Sequence, residues 1–176
     1  MTSSLVLTFV SHDKPGLVNA ISEKIAAAGG SWLESRLARL AGEFAGIVLI
    51  SVPDANAPGL TAALHSLEEA GLRITVARTA PVDPAPSYRT LELELLGQDR
   101  PGIVRDVTHA LSQLGANIEE FSSSIESAPF TGETMFRAAA RLRVPGGVAT
   151  EEVRKILERL AEEMMVDLAT SESEDA

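Results

Sequence analysis

The chain carries one short stretch twice, as Ser11-His12-Asp13-Lys14-Pro15-Gly16-Leu17-Val18 and as Gly97-Gln98-Asp99-Arg100-Pro101-Gly102-Ile103-Val104. Each copy follows an apolar run with strand character and opens an apolar pattern of helical period. A strand–turn–helix of this kind leaves backbone N–H groups free at the start of the helix. There the donors and the positive end of the helix dipole act together, so carboxylates and phosphates bind well. One copy alone can be no more than a helix-start device, with Asp as N-cap, Pro in the first turn and Gly relaxing the backbone.

Working outward from the first copy, Leu5, Leu7 and Phe9 alternate with Val6, Thr8 and Val10, which predicts a strand. Leu17, Val18, Ile21 and Ile25 recur at helical spacing, and Gly29-Gly30 supplies the stop. Trp32–Leu40 and Phe44–Val52 are expected to be two strands joined at Ala41-Gly42-Glu43, and Pro53–Pro58 a loop. Leu60, Ala63, Leu64 and Leu67 form a second helical stripe ending near Gly71, and Leu72, Ile74 and Val76 a last strand. The order is βαββαβ.

The pattern then begins again. Leu91, Leu93, Leu95, Ile103, Val104, Val107, Leu111 and Gly115 match residues of the first half at an offset of 86. Val153, Ile156, Leu157 and Leu160 repeat the second stripe at an offset of 93, and Val166 and Leu168 close the unit. Between the middle strands an expanded loop is expected over Ser122–Gly132, before Phe136, Ala138, Ala140, Leu142 and Val144 alternate with Met135, Arg137, Ala139, Arg141 and Arg143. Agreement in element order, turn motif and core spacing marks an internal repeat. Two strand–helix crossovers flanking one hairpin give the split βαβ plan. The fold class is therefore α+β, with two ferredoxin-like units, each a four-stranded antiparallel sheet with two helices on one face. Residues 1–79 form the first unit, 80–89 a Pro-rich linker with Pro81, Pro84 and Pro86, 90–170 the second unit, and 171–176 a frayed acidic tail.

Composition narrows the function. The 176 residues carry 15 Lys and Arg against 25 Asp and Glu, a net charge of −10, opposite to what a nucleic-acid surface requires. With no cysteine there is no disulfide, thiolate metal site or cysteine nucleophile. Met1-Thr2-Ser3-Ser4 lacks the basic region of a signal peptide, and no apolar run reaches membrane-spanning length, so a soluble cytoplasmic protein is expected. His12, His65 and His109 fall at no ligand spacing, so neither a metal nor a cofactor is expected. No pair of carboxylates stands out as an acid–base couple. Trp32 and Phe44 are assigned to the core. Arg137, Arg141 and Arg143 form a basic stripe expected to face carboxylates across the sheet, Glu92 and Glu94 among them.

The two turns, Asp-Lys/Arg-Pro-Gly-Leu/Ile-Val before a helix, resemble those of the ACT domain. The second unit adds Gly115-Ala116-Asn117-Ile118, and the first a looser Gly29-Gly30-Ser31-Trp32. Two such units filling nearly the whole chain, with Glu34-Ser35-Arg36-Leu37-Ala38 in the first and a Ser-rich stretch before Phe130-Thr131-Gly132 in the second, resemble the glycine cleavage system transcriptional repressor family. The resemblance implies a non-enzymatic regulator that binds a small amino acid, glycine or similar, where ACT domains meet. It further implies action on a transcription regulator through protein contact. By position the ligand residues would be Asp13, Lys14, Pro15, Gly16 and Leu17, with Asp99, Arg100, Pro101, Gly102, Ile103 and Asn117. Asn117 would offer its amide oxygen to an ammonium group, whereas the first unit has Ser31 there, making the second turn the stronger candidate. The alternative is an assembly module with vestigial loops, for which outward Val6 and Val10 suggest a covered surface and a homo-oligomer. An acylphosphatase-like enzyme would need a glycine-rich phosphate cradle that neither turn has.

Overall fold

The computed structural model describes residues 1–79, 88–128, 132–164 and 166–173. The chain divides into two units, Met1–Val82 and Asp83–Ala176. The first runs β1 (Thr2–His12), α1 (Leu17–Ala27), β2 (Ser31–Leu40), β3 (Glu43–Pro53), α2 (Ala57–His65) and β4 (Arg73–Arg78). The second runs β5 (Tyr88–Gln98), α3 (Ile103–Gln113), β6 (Asn117–Ser127), β7 (Thr134–Pro145), α4 (Thr150–Met164) and β8 (Val166–Ser173). Each unit has a four-stranded sheet, ordered β2-β3-β1-β4 and β6-β7-β5-β8, and every pairing is antiparallel. This is the expected α+β plan.

Alternation along the central strands decides which face each sheet buries. Leu5, Leu7 and Phe9 of β1 and Val48, Ile50 and Val52 of β3 meet Leu17, Ile21 and Ile25 of α1 and Leu60 and Leu64 of α2 in one core. Leu91, Leu93 and Leu95, with Phe136 to Val144 at alternate positions, meet Ile103, Val107 and Leu111 of α3 and Val153 and Leu157 of α4 in the other. Burying each such leucine contributes about 1.5–3 kcal/mol, so the repeated spacing is what holds each unit together. Trp32 and Phe44 pack against the first core, as expected.

Five boundaries differ from the sequence expectation. The stretch expected to be a loop, Ser122–Gly132, is strand as far as Ser127. Its serines continue the ladder with β7, from Ser122 opposite Ala139 to Ser127 opposite Thr134, because backbone pairing asks nothing of an exposed side chain. Residues 129–131 of that stretch lie outside the described residues. Pro53–Pro58 is not a loop throughout: Asp54–Asn56 forms a 3₁₀ turn, and α2 already begins at Ala57 with Pro58 in its first turn, where the missing N–H is harmless. The stripe ending at Leu67 is divided, with α2 closing at His65 and a 3₁₀ turn over Ser66–Ala70 leading to Gly71. The linker at 80–87 lies outside the described residues, while Tyr88 and Arg89 belong to β5. Ser171–Ser173, assigned to the tail, extend β8, because β5 offers ladder partners as far as Thr90 opposite Ser173.

Both outer strands carry a register shift at the same place in the repeat, between Trp32 and Glu34 and between Ile118 and Glu120. The extra residue changes the alternation, so that Trp32 and Ile118 pack inward while Glu34 and Glu120 fall on the open face.

The basic stripe meets carboxylates on the open face of the second sheet. Arg141 Nε donates to Glu92 Oε1 at 2.8 Å and approaches Glu120 at 3.6 Å. Arg137 pairs with Glu126 and Arg143 with Glu119, both on β6, and the Arg143 guanidinium also lies 4.7 Å from the Tyr88 ring centroid. Glu94 stands opposite Ala139, so no arginine faces it directly.

Candidate functional site

In both units the strand passes to the helix through a type II β-turn, Lys14-Pro15-Gly16-Leu17 and Arg100-Pro101-Gly102-Ile103. Proline presets the second position, and the third must adopt a positive φ, which glycine alone reaches without strain. Gly16 has φ 92° and ψ −2°, and Gly102 φ 89° and ψ 0°. This replaces the expectation that Asp caps the helix. Glycine occupies the capping position, and neither α1 nor α3 has a side-chain cap.

The backbone donors are therefore open. In the first unit the earliest helical bond is Ala20 N–H to Gly16 O, at 2.9 Å. Leu17 N–H closes the turn toward Lys14, which leaves the N–H groups of Val18 and Asn19 with no acceptor among the described residues. In the second unit Ile103 N–H closes the turn onto Arg100 O at 3.3 Å, leaving Val104 and Arg105. An α-carboxylate suits such a set of convergent donors.

The flanking side chains differ between the copies. Asp13 is tied on both sides: its N–H donates to Gly42 O at 2.9 Å, and its carboxylate accepts from Arg39 Nε at 2.5 Å. Lys14 Nζ donates to Ala70 O at 2.7 Å, where the 3₁₀ turn ends and carbonyls are unpaired. In the second copy, Asp99 N–H donates to Thr134 O at 2.9 Å, while its carboxylate is unpaired among the described residues. Arg100 and Arg105 both turn onto Asp106, with Nη2 of Arg100 2.9 Å from Oδ2 and Nη2 of Arg105 2.7 Å from Oδ1. The hydrogen bonds from Arg105 first, then Arg100, hold the Asp106 carboxyl below its usual range. Asn19 and Ala20 occupy the positions of Arg105 and Asp106 in the first unit, so this clasp belongs to the second turn only.

Approach to the glycines follows from this. A Cβ built on Gly16 would meet nothing within 4 Å, whereas one on Gly102 would lie 3.2 Å from Arg105 Nη2. The first turn is bare, and the second is covered by an arginine already holding an internal carboxylate.

The eleven expected site residues are therefore not equivalent. Asp13 to Gly16 and Asp99 to Gly102 sit together at their respective turns. Leu17 and Ile103 point into the two cores and present only backbone to the turn. Asn117 lies elsewhere. It opens β6 opposite Arg143, which stands opposite Thr90 at the start of β5, whereas the turn follows Gln98 at the other end. Eight residues of strand separate the two positions, roughly 27 Å. Asn117 therefore does not complete the turn of its own unit, since β6 runs antiparallel to α3 and starts where that helix ends. Arg105 and Asp106 are missing from the sequence expectation. Their signal is two charged residues that appear in only one copy of the repeat.

A separate depression of about 610 Å³ runs along β1 and β4 and is lined by residues that include Phe9, Leu72, Arg73 and Ile74, none of them in the turn. Among the described residues no group of three or more His, Cys, Asp or Glu side chains could hold a metal, and no helix is long and apolar enough to cross a membrane.

Comparison with known proteins follows the same division of the chain. Two ACT domain family models match, over residues 3–77 and 91–162. The glycine cleavage system transcriptional repressors of Escherichia coli (strain K12) and Shigella flexneri are each 31% identical over 128 residues, an alignment covering 70% of this chain and 66% of the repressor. A crystal structure of a Galdieria sulphuraria protein is 34% identical, covers 99% of this chain and 100% of its own, and superposes with a TM-score of 0.88. A crystal structure described as a candidate glycine cleavage system transcriptional repressor shares the fold at 24% identity and a TM-score of 0.72, covering 99% of both chains. The chain belongs to the ACT domain family, carries two ACT domains in tandem and resembles the glycine cleavage system transcriptional repressor.

Proposed function

We propose that this protein is a non-enzymatic regulator that senses a small amino acid, glycine or one of similar size, and passes the signal to a transcription regulator by protein contact. The observation that carries the reading is the bare type II turn of the first unit, where the N–H groups of Val18 and Asn19 stand open at the helix start, after a glycine with nothing within 4 Å of its Cβ position. These donors suit an α-carboxylate, and the missing side chain lets it approach the backbone. The remainder of the ligand's coordination falls to a second ACT domain facing the turn. The reading favours a ligand with little side chain. The net charge of −10 favours a protein partner over DNA, in the cytoplasm. Signalling requires that the ligand bind one arrangement of the protein better than another.

Isothermal titration of the full chain against a panel of amino acids tests the ligand. Saturable heat with glycine, alanine or serine, and none with leucine or phenylalanine, is the expected result. Silence across the panel would refute sensing.

A further inference from the structure

An aspartate precedes each turn, Asp13 the first and Asp99 the second. Their backbones are held alike, with Asp13 N–H donating to Gly42 O and Asp99 N–H to Thr134 O, both at 2.9 Å. Their carboxylates are not. Arg39 stands opposite Phe44 near the end of β2, and Phe44 packs against the first core, so Arg39 leaves the sheet on its helix-bearing side. From there its Nε donates to Asp13 Oδ2 at 2.5 Å. In the second unit the residue opposite the matching Phe136 is Ile125, so β6 offers no cation at that place. The Asp99 carboxylate has no cationic partner among the described residues.

The balance of charge at the two turns follows. Asp13 against Arg39 and Lys14 leaves one positive charge at the first turn, whereas Asp99 and Asp106 against Arg100 and Arg105 leave none at the second. The cations are also anchored differently. Arg39 comes from the β2 flank, and Lys14 Nζ reaches Ala70 O on the β4 flank, so the first turn is tied to its own unit from both sides. Arg100 and Arg105 instead fold back onto Asp106 of the helix that they precede or open.

We propose that Arg39 is a positioning residue of the first turn: it draws the Asp13 carboxylate toward β2 and offsets its charge, so that Val18 and Asn19 can donate to the carboxylate of a ligand. Without Arg39, Asp13 would stand unpaired beside the helix start and repel that carboxylate. The second turn lacks this device, which makes the first the one suited to an anion. An ion pair between two partly exposed side chains contributes little to stability, so Arg39 acts on the ligand more than on the fold. The inference rests on the amino-acid-sensing reading and goes past it by naming the residue that lets one turn of the two accept a carboxylate.

Isothermal titration of the full chain with glycine, alanine and serine, at about 0.02 M and about 0.5 M salt, tests it. Arg39→Gln should weaken binding at least about threefold at low salt and by less at high salt, because the repulsion it uncovers is screened. Arg39→Lys, which keeps the charge, should retain more of the affinity. Adding Asp13→Asn to Arg39→Gln should restore binding to within about twofold of the parent, since it removes the uncovered charge. Melts followed by Trp32 emission should agree with the parent within about 4 °C for each variant. A parent that binds, with Arg39→Gln of equal affinity, would overturn this inference and leave sensing intact. A loss that Asp13→Asn does not rescue, or one that comes with unfolding, would make Arg39 a structural residue only and overturn it as well. Silence of the parent with all three amino acids would overturn sensing, and this inference with it.

Discussion

Replacing Gly16 and Gly102 by alanine, one at a time, tests whether the two turns are as alike in backbone and as unlike in surroundings as the structure has them. Both glycines sit near φ +90° and ψ 0°, so alanine meets the same backbone strain at each, about 1–2 kcal/mol. Space decides the rest. The new methyl at Gly16 meets nothing within 4 Å, and that at Gly102 meets the far end of Arg105, which can swing into water. The two variants should therefore lose nearly the same stability, with a gap below about 0.5 kcal/mol. For a unit of this size a loss of about 1.5 kcal/mol lowers the Tm by about 6–12 °C. Trp32 is the one tryptophan and packs against the first core, so its emission follows the first unit. Far-UV circular dichroism then reads the second. A Gly16→Ala variant within about 0.3 kcal/mol of the parent would refute the left-handed turn, and a gap above about 1 kcal/mol would refute the equivalence of the two. Titration separates function from folding: Gly16→Ala should weaken amino-acid binding, while Gly102→Ala should leave the first-turn site untouched.

The Asp106 carboxyl should titrate below its ordinary value of 3.8, and Arg105→Gln should move it back toward that value, read by NMR of the side-chain carboxyl. Because its folded pKa is depressed, the clasp contributes fully above that value and is lost as pH falls through the lower, folded pKa; a carboxyl titrating above 3.8 would overturn the assignment. Asn117→Ala should leave amino-acid affinity unchanged, since Asn117 stands at the far end of its own sheet from the turn. Loss of binding in that variant would show that the turn completed by Asn117 belongs to a different ACT domain.

Much of the fold is legible in the linear chain, and the reason is locality. Leu17, Ile21 and Ile25 lie within one helix, and Leu5, Leu7 and Phe9 within one strand, so burial is written into their spacing. The repeat doubles that signal, and the Pro-Gly pairs mark the two turns. Ser122–Ser127 escapes such a reading because exposed serines carry no periodicity, and only the ladder with β7 makes them a strand. The register shifts before Glu34 and Glu120 are hidden for a related reason: they exist in the pairing of two strands and not in either alone.

The sequence by itself determined the tandem βαββαβ units, their buried faces and the place of both turns, since each depends on residues a few positions apart. Tertiary structure alone decided what surrounds those turns. It set Asn117 roughly eight strand residues away from the turn it was expected to serve. It also brought Arg100 and Arg105 onto Asp106, and left Gly16 bare. Partners of this kind meet through space, across a ladder or a turn, and their meeting depends on strand direction and register that no linear spacing records.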